Sequence, residues 1–246
     1  EAGRVRQCGE GFAGCSKGNG VEGVKGAGRF TSATTIAVEG GEEVSFKQAI
    51  VATGSAPLRP PIPGLDSPRC VDSTGLLAQE QQPMRLVILG GGIIGCEFAS
   101  IFSRFGSEVT IIEMLEALIP QEDADASKEL AKQFGKRNIA LQLGKQCTKV
   151  DDDGSQLTVH FGDGETVQAD LMLVSVGRGP VVTGLGLAEI GVQLDPRKGL
   201  AADEHPRTTV PTISAVGDCA GYLHRAHHAL HAGQLPAEDR SGEAKW

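Results

Sequence analysis

The sequence predicts an α/β fold built on a parallel sheet, and three observations favour that class. Leu86–Leu89 is entirely apolar and Val109–Ile112 is apolar except for Thr110, and each run has the length of a buried strand. Between the two runs, residues 93–105 carry apolar side chains at helical spacing. The glycines of Gly90–Gly92 join the first run to this helix. A strand, a helix and a second strand in this order are typical of a parallel crossover.

The same patterns predict the other elements. Gly106 ends the first helix in the usual position for glycine, and acidic residues begin a second helix that runs from about Asp125 to Lys136. Residues 1–30 are glycine-rich and weakly patterned, and the tail after Gly221 shows no strand or core pattern. Further strands are predicted at Thr34–Val38, Val44–Phe46, Ala49–Ala52, Ile139–Leu141, within an antiparallel meander over residues 146–169, at Leu171–Val176 and at Thr212–Val216.

Composition and charge exclude several classes of function. Of the 246 residues, 40% are hydrophobic and 22% are charged, which is the balance of a globular protein. A net charge of −8 and an aromatic content of 4% disfavour binding to nucleic acid or to an anionic membrane. No apolar run reaches the roughly 18 residues of a membrane-spanning helix, and the first residues carry no signal-peptide core. We therefore expect no nucleic-acid or membrane partner and a cytoplasmic location, or a mitochondrial or plastid matrix in a eukaryote.

The strongest motif is the loop GGGIIG at Gly90–Gly95, which fits the dinucleotide-binding pattern. In this pattern Gly90 permits a tight turn, Gly92 lets the backbone approach a pyrophosphate, and Gly95 lets the helix pack on the strand. Glu113 ends the next strand roughly 20 residues later, where a carboxylate accepts hydrogen bonds from the ribose of NAD and repels the 2′-phosphate of NADP. The alternative is a strand–helix turn that binds no nucleotide.

Four separated blocks of the sequence resemble the flavin-dependent pyridine nucleotide–disulfide oxidoreductases. The blocks are VATGSAPLRPPIPG, RLVILGGGIIGCEFASIFSRFGSEVTIIEM, LVSVGRGP and TTVPTISAVGDCAG, and NGVEGVKGAGRF extends the match toward the N-terminus. Within that family they are most similar to the dihydrolipoyl dehydrogenases. The resemblance implies FAD and NAD as cofactors, and a homodimeric parent that oxidises lipoyl groups of 2-oxoacid dehydrogenase or glycine-cleavage components. Electrons would pass through a disulfide and FAD to NAD.

The resemblance also implies the domain organisation, an NAD-binding domain of Rossmann-like α/β fold inserted in an incomplete FAD-binding domain. We place the NAD-binding domain at residues 79–196 and the two pieces of the FAD-binding domain at residues 1–78 and 197–246, with the proline-rich residues 58–64 as a linker.

Particular residues take cofactor roles by the same resemblance. Residues 53–55 and Asp218 would contact FAD, and Gly28 would approach its adenine end. Glu97 would lie near the nicotinamide, and Gly177 and Val150 would face NAD. The expected cofactor-binding residues are Gly28, Thr53, Gly54, Ser55, Gly90, Gly91, Gly92, Ile93, Ile94, Gly95, Cys96, Glu97, Glu113, Val150, Gly177 and Asp218.

Other features depart from the family. The family's reaction needs an N-terminal glycine loop for FAD, a CxxxxC pair, and a C-terminal dimerisation domain with a His–Glu pair. Cys8 and Cys15 have the wrong spacing, and the scattered cysteines are expected to be reduced thiols. We therefore expect a central fragment with no catalytic residue and no lipoamide turnover of its own. The alternatives are another flavin disulfide reductase, of the mercuric or glutathione reductase type, and a nucleotide-binding remnant.

Two weaker patterns are interpreted as non-functional. The segment Gly9–Gly14 also fits GxGxxG, but no buried strand precedes it. Four histidines, at positions 224, 227, 228 and 231, share one helical face and could suggest a metal site. No other group in the sequence completes such a site, so we interpret them as part of a solvated or flavin-adjacent tail and expect no metal.

We expect the purified chain to be colourless, because the strand–loop–helix that holds the FAD pyrophosphate is missing from the expected FAD-binding pieces. Limited proteolysis should remove residues 1–78 and 197–246 early and leave an NAD-binding core of roughly 12–14 kDa. Absorbance at flavin wavelengths and mass spectrometry of the digest check this. A yellow protein with stoichiometric FAD would contradict it.

Overall fold

The computed structural model describes residues 11, 14–195, 198–202, 206–221 and 226–241. The helices within them are α1 (Ser73–Leu77), α2 (Ile93–Phe105), α3 (Ala124–Lys136) and α4 (Ala226–Ser241), with a 3₁₀ turn at Gly217–Ala220, and residues 14–18 are also helical. The strands are β1 (Gly28–Ser32), β2 (Thr35–Val38), β3 (Glu42–Ser45), β4 (Ala49–Val51), β5 (Ser55–Pro57), β6 (Cys70–Val71), β7 (Arg85–Leu89), β8 (Glu108–Ile112), β9 (Ala140–Gln142), β10 (Cys147–Asp152), β11 (Leu157–Phe161), β12 (Glu165–Ala169), β13 (Leu171–Val174), β14 (Arg178–Pro180), β15 (Leu194–Asp195), β16 (Gly199–Leu200) and β17 (Ile213–Ala215).

The chain divides into two compact units. The central unit is Ser55–Gly179, and the flanking unit combines Glu1–Gly54 with Pro180–Trp246. These boundaries differ from residues 79–196, because β6 pairs with β13 at the edge of the main sheet. The proline-rich residues 58–64 also belong to the central unit, where the Val150 N–H donates to the Pro63 carbonyl at 2.9 Å. The predicted linker is therefore part of the central unit.

A five-stranded parallel sheet with the order β6–β13–β7–β8–β9 forms the middle of the central unit. Val87 and Leu89 of β7 join an apolar cluster with the β10–β11–β12 meander. Their neighbours Leu86 and Ile88 join a second cluster with α2 and α3. Because successive side chains point to opposite faces, a strand covered on both faces has a continuous apolar sequence. The structure confirms the predicted α/β class and the antiparallel meander.

Both predicted helices of the central unit are present. α2 occupies the predicted residues 93–105, and Gly106 ends it with φ +95° while its N–H donates to carbonyls of the last turn. The left-handed conformation is one that glycine adopts without steric cost, which explains why the helix stops there. α3 ends at Lys136 as predicted and begins at Ala124.

The flanking unit contains two small sheets that bear on its predicted sites. β1, β2 and β3 form an antiparallel meander, and β4 pairs in parallel with β17. In the second sheet Val51 lies opposite Ala215, so residues 52–54 and 216–218 leave the same edge. The apolar core of this unit includes Phe30, Leu187 and Ile213.

Several elements correct the sequence-based expectations. β1 begins within the glycine-rich, weakly patterned residues 1–30, and α4 lies in the tail that showed no strand or core pattern. β13 ends at Val174 and not at Val176, so Gly177 lies in the following loop. β6 and α1 were not predicted, because two and five residues are too short for a hydrophobic period to appear.

The close packing of α2 on the sheet gives a test with a matched control. A Cβ at Gly95 would stand 2.1 Å from the Gly90 carbonyl oxygen, whereas a Cβ at Gly135 in α3 would meet no atom within 4 Å. We expect Gly95→Ala to lower the free energy of unfolding by about 2 kcal/mol or more. Gly135→Ala should raise it by about 0.5–1 kcal/mol, because alanine loses less entropy in a helix.

Urea denaturation of both variants, followed by circular dichroism, measures the two changes. Equal stabilities for Gly95→Ala and the unmodified chain would show that α2 does not need this close approach.

Candidate nucleotide-binding site

The glycines at the β7–α2 junction differ in how much room each leaves for a side chain. Gly90 has φ +107°, and a Cβ there would stand 2.4 Å from the Ser175 carbonyl oxygen, so only glycine fits the turn. Gly95 permits the close approach of helix and strand described above. Gly92 differs, because a Cβ on it would meet no protein atom within 4 Å. The space over Gly92 is therefore open.

The N-terminus of α2 faces this open space. Gly92 is the N-cap residue and no side chain caps it, so the first N–H groups of the helix have no side-chain acceptor there. Ile93, the first helical residue, is 57% exposed. Ile94 packs against the second apolar cluster, and Glu97 is exposed one turn further along the helix. Free N–H donors and the positive end of the helix dipole suit an anionic phosphate.

The carboxylate of Glu113 connects this loop to the end of β8. Glu113 is only 8% exposed, and its Oε2 accepts a hydrogen bond from the Gly91 N–H at 2.6 Å. Its Oε1 accepts from the Leu115 N–H at 2.8 Å. Each carboxylate oxygen has a second lone pair, so the group can still accept from a ligand hydroxyl. The sequence indicated the ligand role, but the bond to Gly91 was not predicted.

Cys96 forms a hydrogen bond with the carbonyl group of Gly91, the residue whose N–H is bonded to Glu113. Its thiol is buried and donates to the Gly91 carbonyl oxygen at 3.3 Å. Burial raises the pKa of this thiol to about 11, and the carboxylates of Glu113 and Glu97 raise it further. At neutral pH the group is therefore a protonated hydrogen-bond donor and not a nucleophile.

Ser175 also contributes to the loop and was missed by the sequence analysis. Its hydroxyl donates to the Leu89 carbonyl at 3.0 Å and lies 3.3 Å from the Gly90 carbonyl. The signal that could have found it is the single polar residue in the apolar run Leu171–Val176.

Gly177 and Val150, two predicted nucleotide-binding residues of the central unit, have different surroundings. Gly177 is exposed with φ +121°, and its carbonyl accepts from the Leu58 N–H at 3.0 Å. Val150 is 3% exposed and lies in the same apolar cluster as Leu89 and Ile112. Their contacts with a nucleotide stay predictions.

The predicted flavin-contacting residues are divided between the two units. In the flanking unit the Thr53 hydroxyl donates to the Val181 carbonyl at 2.6 Å, and Gly54 has φ +68°. Asp218 lies in the 3₁₀ turn directly after β17, and Gly28 is an exposed residue of β1. Ser55 belongs to the central unit, where its hydroxyl accepts from the Arg178 guanidinium at 2.8 Å.

The two weaker sequence patterns lie only partly within the described residues. Of the segment Gly9–Gly14, only Gly11 and Gly14 are among the described residues, and both are helical. His224 lies outside the described residues, and His227, His228 and His231 lie on α4. Among the residues that the structure describes, no group of histidine, cysteine, aspartate or glutamate could hold a metal ion.

No helix in the described part of the chain is both long enough and apolar enough to cross a membrane.

The burial of the thiols predicts which cysteines react. Burial raises the pKa of Cys70 and of Cys96 to about 11, whereas Cys15 is exposed. At pH 8 only roughly one in a thousand of the buried thiols is ionised, and reagents have no access to them. We expect a thiolate-selective reagent to modify Cys15 within minutes and to leave Cys70 and Cys96 unmodified until urea is added. Peptide mass spectrometry reads the result, and rapid modification of Cys96 in the folded chain would contradict it.

Comparison with known proteins agrees with this arrangement. The family model described as pyridine nucleotide-disulphide oxidoreductase matches residues 3–233. Dihydrolipoyl dehydrogenase of Bacillus subtilis (strain 168) is 36% identical over 242 residues, which are 97% of this chain and 53% of that protein. Dihydrolipoamide dehydrogenase of Chaetomium thermophilum is 40% identical over 225 residues, which are 87% of this chain and 44% of that protein. The chain spans about half the length of the curated relatives that it matches.

Solved structures show the same likeness. The HOCl-induced flavoprotein disulfide reductase RclA from Escherichia coli superposes with a TM-score of 0.87 at 31% identity, covering 92% of this chain and 52% of that one. LpdA from Mycobacterium tuberculosis superposes with a TM-score of 0.87 at 28% identity, covering 99% of this chain and 56% of that one. Members of the matched family use FAD and NAD, and their fold contains Rossmann-like nucleotide-binding domains. The chain belongs to the pyridine nucleotide–disulphide oxidoreductase family.

Proposed function

We propose that the central unit binds NAD in a flavin-dependent disulfide oxidoreductase of the dihydrolipoyl dehydrogenase kind. The observation that carries the proposal is the pairing of an open helix N-terminus at Gly92 with the buried carboxylate of Glu113. A pyrophosphate needs N–H donors, and a ribose needs a hydrogen-bond acceptor beside them. The start of α2 supplies the donors, and Glu113 directly after β8 supplies the acceptor.

The residues of the central unit fit NAD well. The N–H groups at the start of α2 would hold the pyrophosphate over Gly92, where no Cβ obstructs it. The remaining lone pairs of Glu113 would accept from the adenine ribose hydroxyls. The bonds from Cys96 and Ser175 keep the loop in this shape before any ligand arrives. When bound, NAD supplies the hydride acceptor and FAD supplies the carrier between disulfide and nicotinamide.

The flanking unit fits FAD in part. Thr53, Gly54 and Asp218 follow the carboxyl ends of the parallel strands β4 and β17, which is where ligands bind in open α/β sheets. The described residues before β1 include no strand, so the fit does not extend to a pyrophosphate loop for FAD. Ser55 and Gly28 complete the proposed flavin contacts.

The wider activity is proposed from the relatives. Dihydrolipoyl dehydrogenases among the curated relatives favour oxidation of protein-bound dihydrolipoyl groups, with lipoyl-bearing components of multienzyme complexes as partners. The likeness to RclA favours a second candidate, another flavoprotein disulfide reductase. Assays with dihydrolipoamide and with other dithiols would separate the two in a full-length relative carrying this unit.

The choice of nucleotide tests the central proposal. We expect the chain to bind NADH at least about tenfold more tightly than NADPH, because the buried carboxylate of Glu113 accepts from ribose hydroxyls and repels a 2′-phosphate. Glu113→Gln should narrow this ratio. Because Glu113 also holds the Gly91 N–H, the substitution should weaken NADH binding as well. Fluorescence titration with both nucleotides measures the ratio.

A matched control is Glu122→Gln, which removes an exposed carboxylate from the same β8–α3 connection, close to the start of α3. It should leave both affinities unaltered. Equal affinities of the unmodified chain for NADH and NADPH would refute the role of Glu113.

A further inference from the structure

The backbone around Glu113 connects it to a second loop, which follows β9. The Glu113 N–H donates to the Gln142 carbonyl at 2.9 Å, and the Lys145 N–H donates to the Glu113 carbonyl at 3.0 Å. The Gly144 N–H donates to the Leu115 carbonyl at 3.0 Å. The loop over residues 142–145 therefore lies directly beside the end of β8, where the ribose acceptor is located.

Lys145 brings a positive charge to this loop. Of the described residues whose backbone groups bond to Glu113 or Leu115, Lys145 alone is basic. A lysine side chain is long and flexible, and a free ammonium group in this position is the kind of group that attracts a phosphate. NADP-binding sites use a nearby cation for the 2′-phosphate in the same way.

The ammonium group of Lys145 is held by other groups. Its Nζ donates to Glu165 Oε1 at 2.6 Å and to Gln142 Oε1 at 2.9 Å. It also lies 5.6 Å from the centre of the Phe161 ring. The side chain is 31% exposed, so the charge is partly shielded from solvent.

Glu165 is in turn fixed by the meander. It lies opposite Phe161 in the β11–β12 pairing, next to the turn that connects these strands. A Cβ at Gly162 in that turn would stand 2.6 Å from Glu165 Oε2, so glycine at 162 leaves room for the carboxylate. The acceptor for Lys145 is therefore positioned by the fold of the meander.

We propose that Glu165 is a positioning residue for nucleotide specificity, which binds Lys145 and so keeps its charge from compensating the 2′-phosphate of NADPH. The inference rests on the proposed NAD-binding function. Discrimination against NADPH then has two parts. Glu113 repels the 2′-phosphate, and Glu165 binds the ammonium group of Lys145, which could otherwise attract that phosphate. A 2′-phosphate carries nearly two negative charges, so an available ammonium group beside it has a measurable effect.

The test is Glu165→Gln, which keeps the size of the side chain and removes its charge. We expect the dissociation constant for NADPH to fall by about threefold to fivefold at low ionic strength, with the constant for NADH changed by less than about twofold. The gain should disappear at high salt, because the interaction of Lys145 with the phosphate is screened. A merely structural role of Glu165 would move both constants together.

Three further variants make the test specific. In the double variant Glu165→Gln with Lys145→Met the preference should return to that of the unmodified chain, and Lys145→Met alone should leave it unaltered. Glu129→Gln makes the same change in net charge at a surface pair on α3, where Glu129 lies 3.6 Å from Lys132, and should have no effect on the preference.

Distinct outcomes overturn distinct claims. The role of Glu165 would be overturned, with NAD binding intact, if Glu165→Gln left the preference for NADH over NADPH unaltered. A gain in NADPH affinity that persisted in the double variant, or that was equal in Glu129→Gln, would overturn it as well. Failure of the unmodified chain to bind either nucleotide would overturn the proposed function and this inference with it.

Discussion

The buried carboxylate of Glu113 is the constraint on which the site depends. Its two oxygens accept from the N–H groups of Gly91 and Leu115, so one side chain links the loop after β7 to the residues that follow β8. A buried charge without such partners costs several kcal/mol, and a backbone N–H left without an acceptor costs about 1–3 kcal/mol. The carboxylate and the two N–H groups therefore stabilise one another, and the loop has a defined shape without a ligand.

The glycines around this carboxylate are of two kinds: some are required by the packing of the chain, and one leaves room for a ligand. Gly90 and Gly95 are required because neighbouring protein atoms leave no room for a Cβ. Gly92 has ample room, so its lack of a side chain does not serve the packing of the chain itself. That difference among glycines of one motif is physical support for a ligand at Gly92, independent of the likeness to other proteins.

The sequence predicted the regular part of this unit well, and the reasons are local. The helix over residues 93–105 has apolar side chains at the right spacing and a glycine at each end, so its limits were found. The position of Glu113 after a buried strand indicated a ribose acceptor, and that role stays a prediction. Its bond to Gly91 could not be predicted, because spacing along the chain does not determine which rotamer a carboxylate adopts.

Other elements and contacts were not predicted, because they do not depend on the pattern of neighbouring residues in the sequence. β6 has two residues, and only its pairing with β13 makes it a strand. α4 contains Gly233 and a proline within its sequence, both of which disfavour a helix, and its apolar residues follow no clear period. Tertiary structure brings Ser175 and Lys145 to their partners in the site, so neighbouring residues in the sequence do not reveal which groups they contact.

The parallel pairing of β4 with β17 has a consequence for how the chain folds. The Cys219 thiol donates to the Val51 carbonyl across a separation of 168 positions, and closing so long a loop in an unfolded chain is slow and entropically costly. The paired strands β5 and β14 lie at the two ends of the central unit, so its folding brings the flanking segments together in advance. During synthesis all of the central unit is made before β17, so β4 stays without this strand partner until residues 213–215 have been added.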